Sequence, residues 1–117
     1  MPYTVNTSEV FDDWFSDLEE ALQDSVTASV DVFQQYGPQL VRPHVDTLKG
    51  SSLKNLKELR VQHGGDPYRI LIAFDPKREA LLLLGGNKAS DKRWYEKMIP
   101  QAEALFRQHL ETLDKEN

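Results

Sequence analysis

LKELRVQHGGDPYRILIAF, Leu56 to Phe74, decides the fold. Two runs of strand-forming residues meet at Gly64-Gly65-Asp66-Pro67, a segment dense in turn chemistry. Alternation in the first run puts Lys57, Leu59, Val61 and His63 on one side. Leu56, Glu58, Arg60 and Gln62 fall on the other. The second run, Tyr68 to Phe74, is apolar except for Arg69. Each strand of the predicted hairpin therefore carries one arginine.

Downstream, Asp75-Pro76-Lys77-Arg78 fits a type I turn with proline at its second position. Ala80 to Leu84 is apolar on both faces and predicts a central, covered strand ended by Gly85-Gly86-Asn87. Ser90 or Asp91 can cap a short helix through Met98. Pro100 fits the first turn of a last helix with Ala102, Leu105, Phe106, His109, Leu110 and Leu113 on one face.

Upstream, Leu40 to Ser52 is irregular and predicts a connecting loop, with room for a β-bridge. Before it, Val10, Phe11, Trp14, Phe15, Leu18, Leu22, Val26, Val30, Phe33 and Tyr36 recur at steps of three and four. That is a helical apolar stripe, capped by Thr7 or Ser8 and stopped by Gly37-Pro38. Its length predicts two helices with a bend within Leu18–Asp24, with one curved helix as the alternative because no strong capping residue marks the bend. Tyr3 to Asn6 predicts a short first strand. The order β-α-α-β-β-β-α is an α+β domain, with helices packed on a small, mainly antiparallel sheet. The 117 residues suit a single domain, 1–117, with helices forming a single layer on the sheet.

With no cysteine, disulfides and thiolate metal sites are excluded. His44, His63 and His109 are far apart with no carboxylate at metal spacing, so no metal site is expected. The first ten residues, MPYTVNTSEV, lack a basic start and an apolar stretch, and no apolar run approaches the roughly 20 residues that span a membrane. A cytoplasmic protein is expected.

The net charge of −5 argues against nucleic acid as a partner, but its distribution does not. Residues 1–41 hold eight acids and no Lys or Arg. Residues 42–93 hold eleven Lys/Arg against six acids. A basic middle suits phosphates. Arg60 and Arg69 lie on neighbouring strands, Lys88 follows the third, and Arg93 and Tyr95 lie just beyond, so all can converge at one edge of the sheet. Arginine offers five fixed donors and stays charged, which suits a phosphate or a developing phosphorane. Tyrosine offers a ring to stack on an unpaired base and a hydroxyl to donate. Lys54, Lys57 and Arg93 are the further candidates for RNA contact. The plain alternative is ordinary salt bridges: Arg60 with Glu58, Arg69 with Asp66, and Arg93 with an acid one helical turn away.

Three stretches carry a resemblance: RPHVDTLKG (Arg42–Gly50), LKELRVQHGGDPYRILIAFDPKR (Leu56–Arg78) and LLLLGGNKASDKRWYEKMIPQAEALFRQHL (Leu81–Leu110). Together, with KELR, PYR, AFDP, GG-x-K and W-Y-E as their most specific pieces, they resemble the phage-derived branch of the RelE/ParE superfamily. These are the HigB-like toxins of type II toxin–antitoxin systems. The resemblance covers Val10 to Leu110.

It implies a RelE-like, microbial-ribonuclease-like fold. It also implies a ribosome-dependent mRNA endonuclease with a helix-turn-helix antitoxin as partner, which would meet DNA only through that antitoxin. Arg60 and Arg69 then match strand cations that stabilise charge on the scissile phosphate. Lys88 matches a basic residue at the end of the third strand, and Tyr95 an aromatic that orients the nucleotide. Two positions depart from the pattern: Glu58 stands where well-studied members carry a lysine, and Ala89 follows Lys88.

The implied chemistry uses no metal and no cofactor. The 2′-OH attacks the adjacent phosphate, leaving a 2′,3′-cyclic phosphate and a free 5′-OH. Glu58 or His63 would take the 2′-OH proton, and alternation favours Glu58, which shares a face with Arg60. Two other functions share the fold: a ParE-like inhibitor of DNA gyrase, and a non-catalytic domain that only binds an antitoxin.

Overall fold

The computed structural model describes residues 3–115. The hairpin forms as the sequence predicts, with β3 at Lys57–His63 and β4 at Asp66–Phe74. Arg60 stands directly opposite Arg69. Gly64 and Gly65 both take positive φ in the turn, a region that glycine enters without steric cost. Strand β5 (Ala80–Asn87) pairs antiparallel with β4. A short β1 (Val5–Thr7) pairs parallel with β5, which makes the sheet mixed.

A fifth strand corrects the expectation for Leu40–Ser52. Val45–Thr47, here β2, pairs antiparallel with β3, so the sheet order is β1-β5-β4-β3-β2. Three residues after a proline are too short for alternation to register. The strand exists because Val45 is buried against the core.

The long helical stripe is two helices, α1 (Glu9–Ser16) and α2 (Glu20–Tyr36), broken at residues 17–19. Ser8 caps α1 by accepting from the Phe11 N–H, with Glu9 and Asp12 in the first turn beside the positive end of the helix dipole. Gly37, at φ 57°, ends α2.

The C-terminal helix is continuous. α3 runs Trp94–Lys115 straight through Pro100, where two helices were expected. Pro100 lies on the exposed side, and the residue whose carbonyl it leaves unpaired, Glu96, is exposed too, so water can satisfy it.

Helices cover both faces of the sheet, rather than forming the single layer expected at this chain length. α1 and α2 bury Phe11, Leu22, Val26 and Phe33 against Leu59, Val61, Ile70, Ile72 and Leu82. α3 buries Trp94, Ala102 and Phe106 against Leu56, Leu71, Ala73, Leu81 and Leu83. Each fully buried Val, Leu, Ile or Phe among these contributes roughly 1.5–3 kcal/mol.

The register between β4 and β5 shifts between Leu71 and Ile72. Past that shift β5 continues as Gly85-Gly86-Asn87, which the sequence had suggested would end the strand. A Cβ on Gly85 would lie 2.5 Å from the Trp14 ring, and one on Gly86 would lie 2.8 Å from Trp94 Nε1. The glycines leave room for an indole against the strand at each position, Trp14 at Gly85 and Trp94 at Gly86.

Candidate active site

Glu58 is the centre of the α3 face. Its neighbours on β3, Leu59 and Lys57, point to the other side, so alternation sends its carboxylate under the first turn of α3, where it is 2% exposed. A buried carboxylate is costly unless charge and hydrogen bonds compensate. Here they do. The Tyr95 hydroxyl donates to Glu58 Oε1 at 2.7 Å and lies 3.0 Å from Oε2. Arg69 Nε donates to Oε1 at 3.1 Å.

Arg60 adds a second cation. Its Nε lies 3.8 Å from Glu58 Oε1, beyond hydrogen-bond range, and is buried without a partner among the described residues. Like charges directly opposite on paired strands repel. The Arg60–Arg69 pair is tolerated because Glu58 lies between the two guanidinium groups.

The network extends to β2. Asp46, the cross-strand partner of Glu58, accepts from Arg42 Nη2 at 2.6 Å and from Arg60 Nη2 at 3.4 Å. The Arg42 hydrogen bond is the main reason that Asp46 titrates below the usual carboxylate range, and the same bond raises Arg42. On the other side, Lys88 Nζ sits 5.3 Å from the centre of the Tyr95 ring. Four cations thus gather round two carboxylates, leaving the edge electropositive.

Burial, and then the neighbouring Glu58 carboxylate, push the Tyr95 hydroxyl up to about 12. It therefore remains protonated near neutral pH and works as a hydrogen-bond donor, not as a phenolate.

The structure brings Glu58, Arg60, Arg69, Lys88 and Tyr95 together. The other three expected cations lie elsewhere. Lys57 is on the α1/α2 side and donates to Thr47 Oγ1. Lys54 is exposed in the segment before β3. Arg93 is exposed and bonded to Glu96 at 3.2 Å. His63 lies across the sheet from Glu58, with Nδ1 2.8 Å from Ser25 Oγ.

Of the plain salt bridges, Arg93 has its acid one turn away, and Arg60 approaches Glu58 only at 3.8 Å. Arg69 pairs with Glu58, not Asp66, whose carboxylate accepts from Asn87. Sequence reading missed Arg42 and Asp46 as members of the network. The signal was available: if Val45–Thr47 pairs with β3, Asp46 must project on the Glu58 side.

Chemically, the edge offers the partly exposed Arg60 guanidinium, backed by the mostly buried Arg69 that bonds Glu58 and the Tyr68 carbonyl, together with an ammonium and a phenol hydrogen-bonded to a buried carboxylate. That set suits a phosphodiester.

Comparison with known proteins gives the family. The model of the family described as phage-derived, Gp49-like protein matches residues 13–107. The putative toxin HigB3 of Mycobacterium tuberculosis is 48% identical over 91 residues, spanning 77% of this chain and 78% of that protein. The putative toxin HigB2 of the same organism is 42% identical over 99 residues, spanning 83% of this chain and about half, 49%, of that protein. Among solved structures, an arginine-to-alanine double mutant of the E. coli toxin RelE in the free state superposes with a TM-score of 0.57. That match covers 84% of this chain and 96% of the other at 10% identity, a likeness of fold alone.

Proposed function

We infer, from the premise that this chain belongs to the Gp49-like family of phage-derived proteins, that it is the toxin of a type II toxin–antitoxin pair and acts by cutting mRNA. The observation that carries this reading is the buried Glu58 carboxylate receiving Tyr95 and Arg69 within one cationic edge. The relatives named as putative toxins support the biological half.

In the proposed reaction the scissile phosphate lies against Arg60, Arg69 and Lys88. The three cations neutralise the dianionic phosphorane, and such electrostatic stabilisation is commonly the largest catalytic contribution. The 2′-oxygen attacks phosphorus in line. Its proton passes to the Tyr95 oxygen as the Tyr95 proton passes to Glu58 Oε1. This relay uses Glu58 as the final acceptor although substrate does not reach it, and it forms no free phenolate. The 5′-oxygen leaves and takes its proton from solvent water at the open edge, Glu58 later returns its proton to solvent, and the products are a 2′,3′-cyclic phosphate and a 5′-OH. No metal enters these steps.

The ribosome supplies the positioning that a small, open edge lacks, and orientation alone can contribute roughly 7–11 kcal/mol to a barrier. A helix-turn-helix antitoxin is the proposed inhibitor.

The test is a cell-free translation extract given the purified protein. Translation stops, and primer extension maps new transcript ends only when ribosomes are present. Arg69→Ala abolishes both effects, with a loss of about 10²–10³-fold. Unchanged translation at micromolar protein overturns the reading. Inhibited gyrase supercoiling with intact transcripts would replace it with the gyrase-inhibitor function.

A further inference from the structure

The opposite side of the sheet carries a second feature that the nuclease reading does not use. An apolar groove of about 310 Å³ opens between α1 and α2, with β1 and β5 as its floor. Phe11 and Phe15 form one wall and Val26 and Val30 the other. Asp12 and Thr27 line its mouth.

The two helices that wall this groove carry acids and no Lys or Arg. Glu20, Asp24, Thr27, Asp31 and Gln34 follow one another at steps of three and four, so they form a single stripe along α2 beside the opening. Glu20, Asp24 and Asp31 are exposed, as is Asp12 across the groove. None of the four makes an ion pair among the described residues. No Lys or Arg occurs anywhere in residues 1–41 to offset them. An apolar trough between unneutralised carboxylates selects for a ligand with both apolar side chains and positive charge.

We propose that this groove is the docking site for a cationic amphipathic segment of a partner protein. A few apolar side chains seat against Phe11, Phe15, Val26 and Val30, with Lys or Arg on their flanks meeting Asp12, Glu20, Asp24 and Asp31. Nucleic acid is repelled by the same charges. A second copy of this chain would have to present apolar and basic side chains together, and the sedimentation arm of the test reads that outcome. The groove and the Glu58 edge lie on opposite faces of the sheet, so this inference stands or falls independently of the nuclease reading.

The probe is a fluorescein-labelled peptide with leucines at helical spacing and lysines on both flanks. Two control peptides replace either the leucines with serine or the lysines with glutamine. Anisotropy titration against the full chain gives saturable binding that weakens at least about tenfold in each control and falls with salt. Asp24→Lys with Asp31→Lys, both at exposed helix positions, weakens it similarly. Thr27→Trp, which fills the mouth without changing charge, does so too. Amide chemical shifts move in residues 11–15 and 26–34.

Binding that is indifferent to all three substitutions overturns the proposal. So do shifts centred on Arg60 and Arg69. A concentration-dependent dimer in sedimentation that Asp24→Lys with Asp31→Lys dissolves would instead assign the groove to a second copy.

Discussion

Among the described residues two carboxylates are buried, Glu58 at 2% exposure and Asp75 at 6%, both on the α3 side of the sheet, and they are held in opposite ways. Asp75 sits in the β4–β5 turn. Its Oδ1 accepts the backbone N–H groups of Lys77 and Glu79, two and four residues on, and Oδ2 accepts from His109 Nε2 at 2.9 Å. Its partners are mostly local backbone, and they match its charge with nothing left over. Glu58 takes its hydrogen bonds from side chains of other elements, Arg69 of β4 and Tyr95 of α3. A further guanidinium, Arg60, stands close by with an unmatched Nε. Burial of a carboxylate therefore does not by itself mark a site here. Surplus donors around it do.

The largest expected effect separates the two at once. Glu58→Ala strands Arg69 and the Tyr95 hydroxyl beneath α3. Breaking a buried pair by removing one partner costs about 3–5 kcal/mol, so urea denaturation should show a loss of that size. Glu58→Gln keeps the shape and the Tyr95 contact and costs less, yet it cannot accept the relayed proton. A Gln variant that folds well and still cleaves mRNA at the parent rate would remove Glu58 from the reaction and leave it a structural role.

Tyr95→Phe is the intermediate case. It deletes one charge-assisted hydrogen bond to Glu58, worth about 1.5–3 kcal/mol, and leaves the ring beneath Lys88. The relay predicts that cleavage falls about 10²-fold while the folded fraction at 25 °C is unchanged. Activity that tracks the stability loss alone would reduce Tyr95 to a structural partner of Glu58.

The same contrast explains what the sequence made legible. The hairpin, the third strand and the two N-terminal helices are written in local signals: alternation, helical spacing, and glycine or proline at the breaks. Such signals also sufficed to put Glu58 and Arg60 on one face of β3. They did not reveal which acid Arg69 meets, because Asp66 is nearer in sequence and Glu58 nearer in space. Nor did they reveal β2, where three residues carry too little pattern, and Arg42 and Asp46 were lost with it.

Gly85-Gly86 and Pro100 misled for one reason. Both are local breakers whose cost was outweighed by tertiary packing, two indoles against the glycines and the long apolar face of α3 against the sheet. Partners from distant elements define the Glu58 edge, so composition located it only to the basic middle of the chain.

The smallest expected effect concerns Asp75 and sharpens the contrast through pH. Burial alone would raise this carboxyl, but the His109 hydrogen bond and the N–H groups of Glu79 and Lys77 outweigh it and leave it below the ordinary range. A group whose folded pKa is depressed contributes stability that is fully present above the unfolded value, near 3.8. That contribution fades as pH falls through the folded value. Asp75→Asn retains an oxygen for the turn N–H groups but loses the charge that His109 meets. It should cost about 1.5 kcal/mol at neutral pH. The difference from the parent should shrink as pH drops below about 4, where the parent's carboxylate is itself lost. Denaturation series at several pH values would show this. mRNA cleavage per folded molecule should not change, because Asp75 lies at the β4–β5 turn, where its own backbone and His109 satisfy it. A gap that stayed constant down to the lowest pH would mean that the charge on Asp75 contributes nothing, and that the turn is held by oxygen geometry alone.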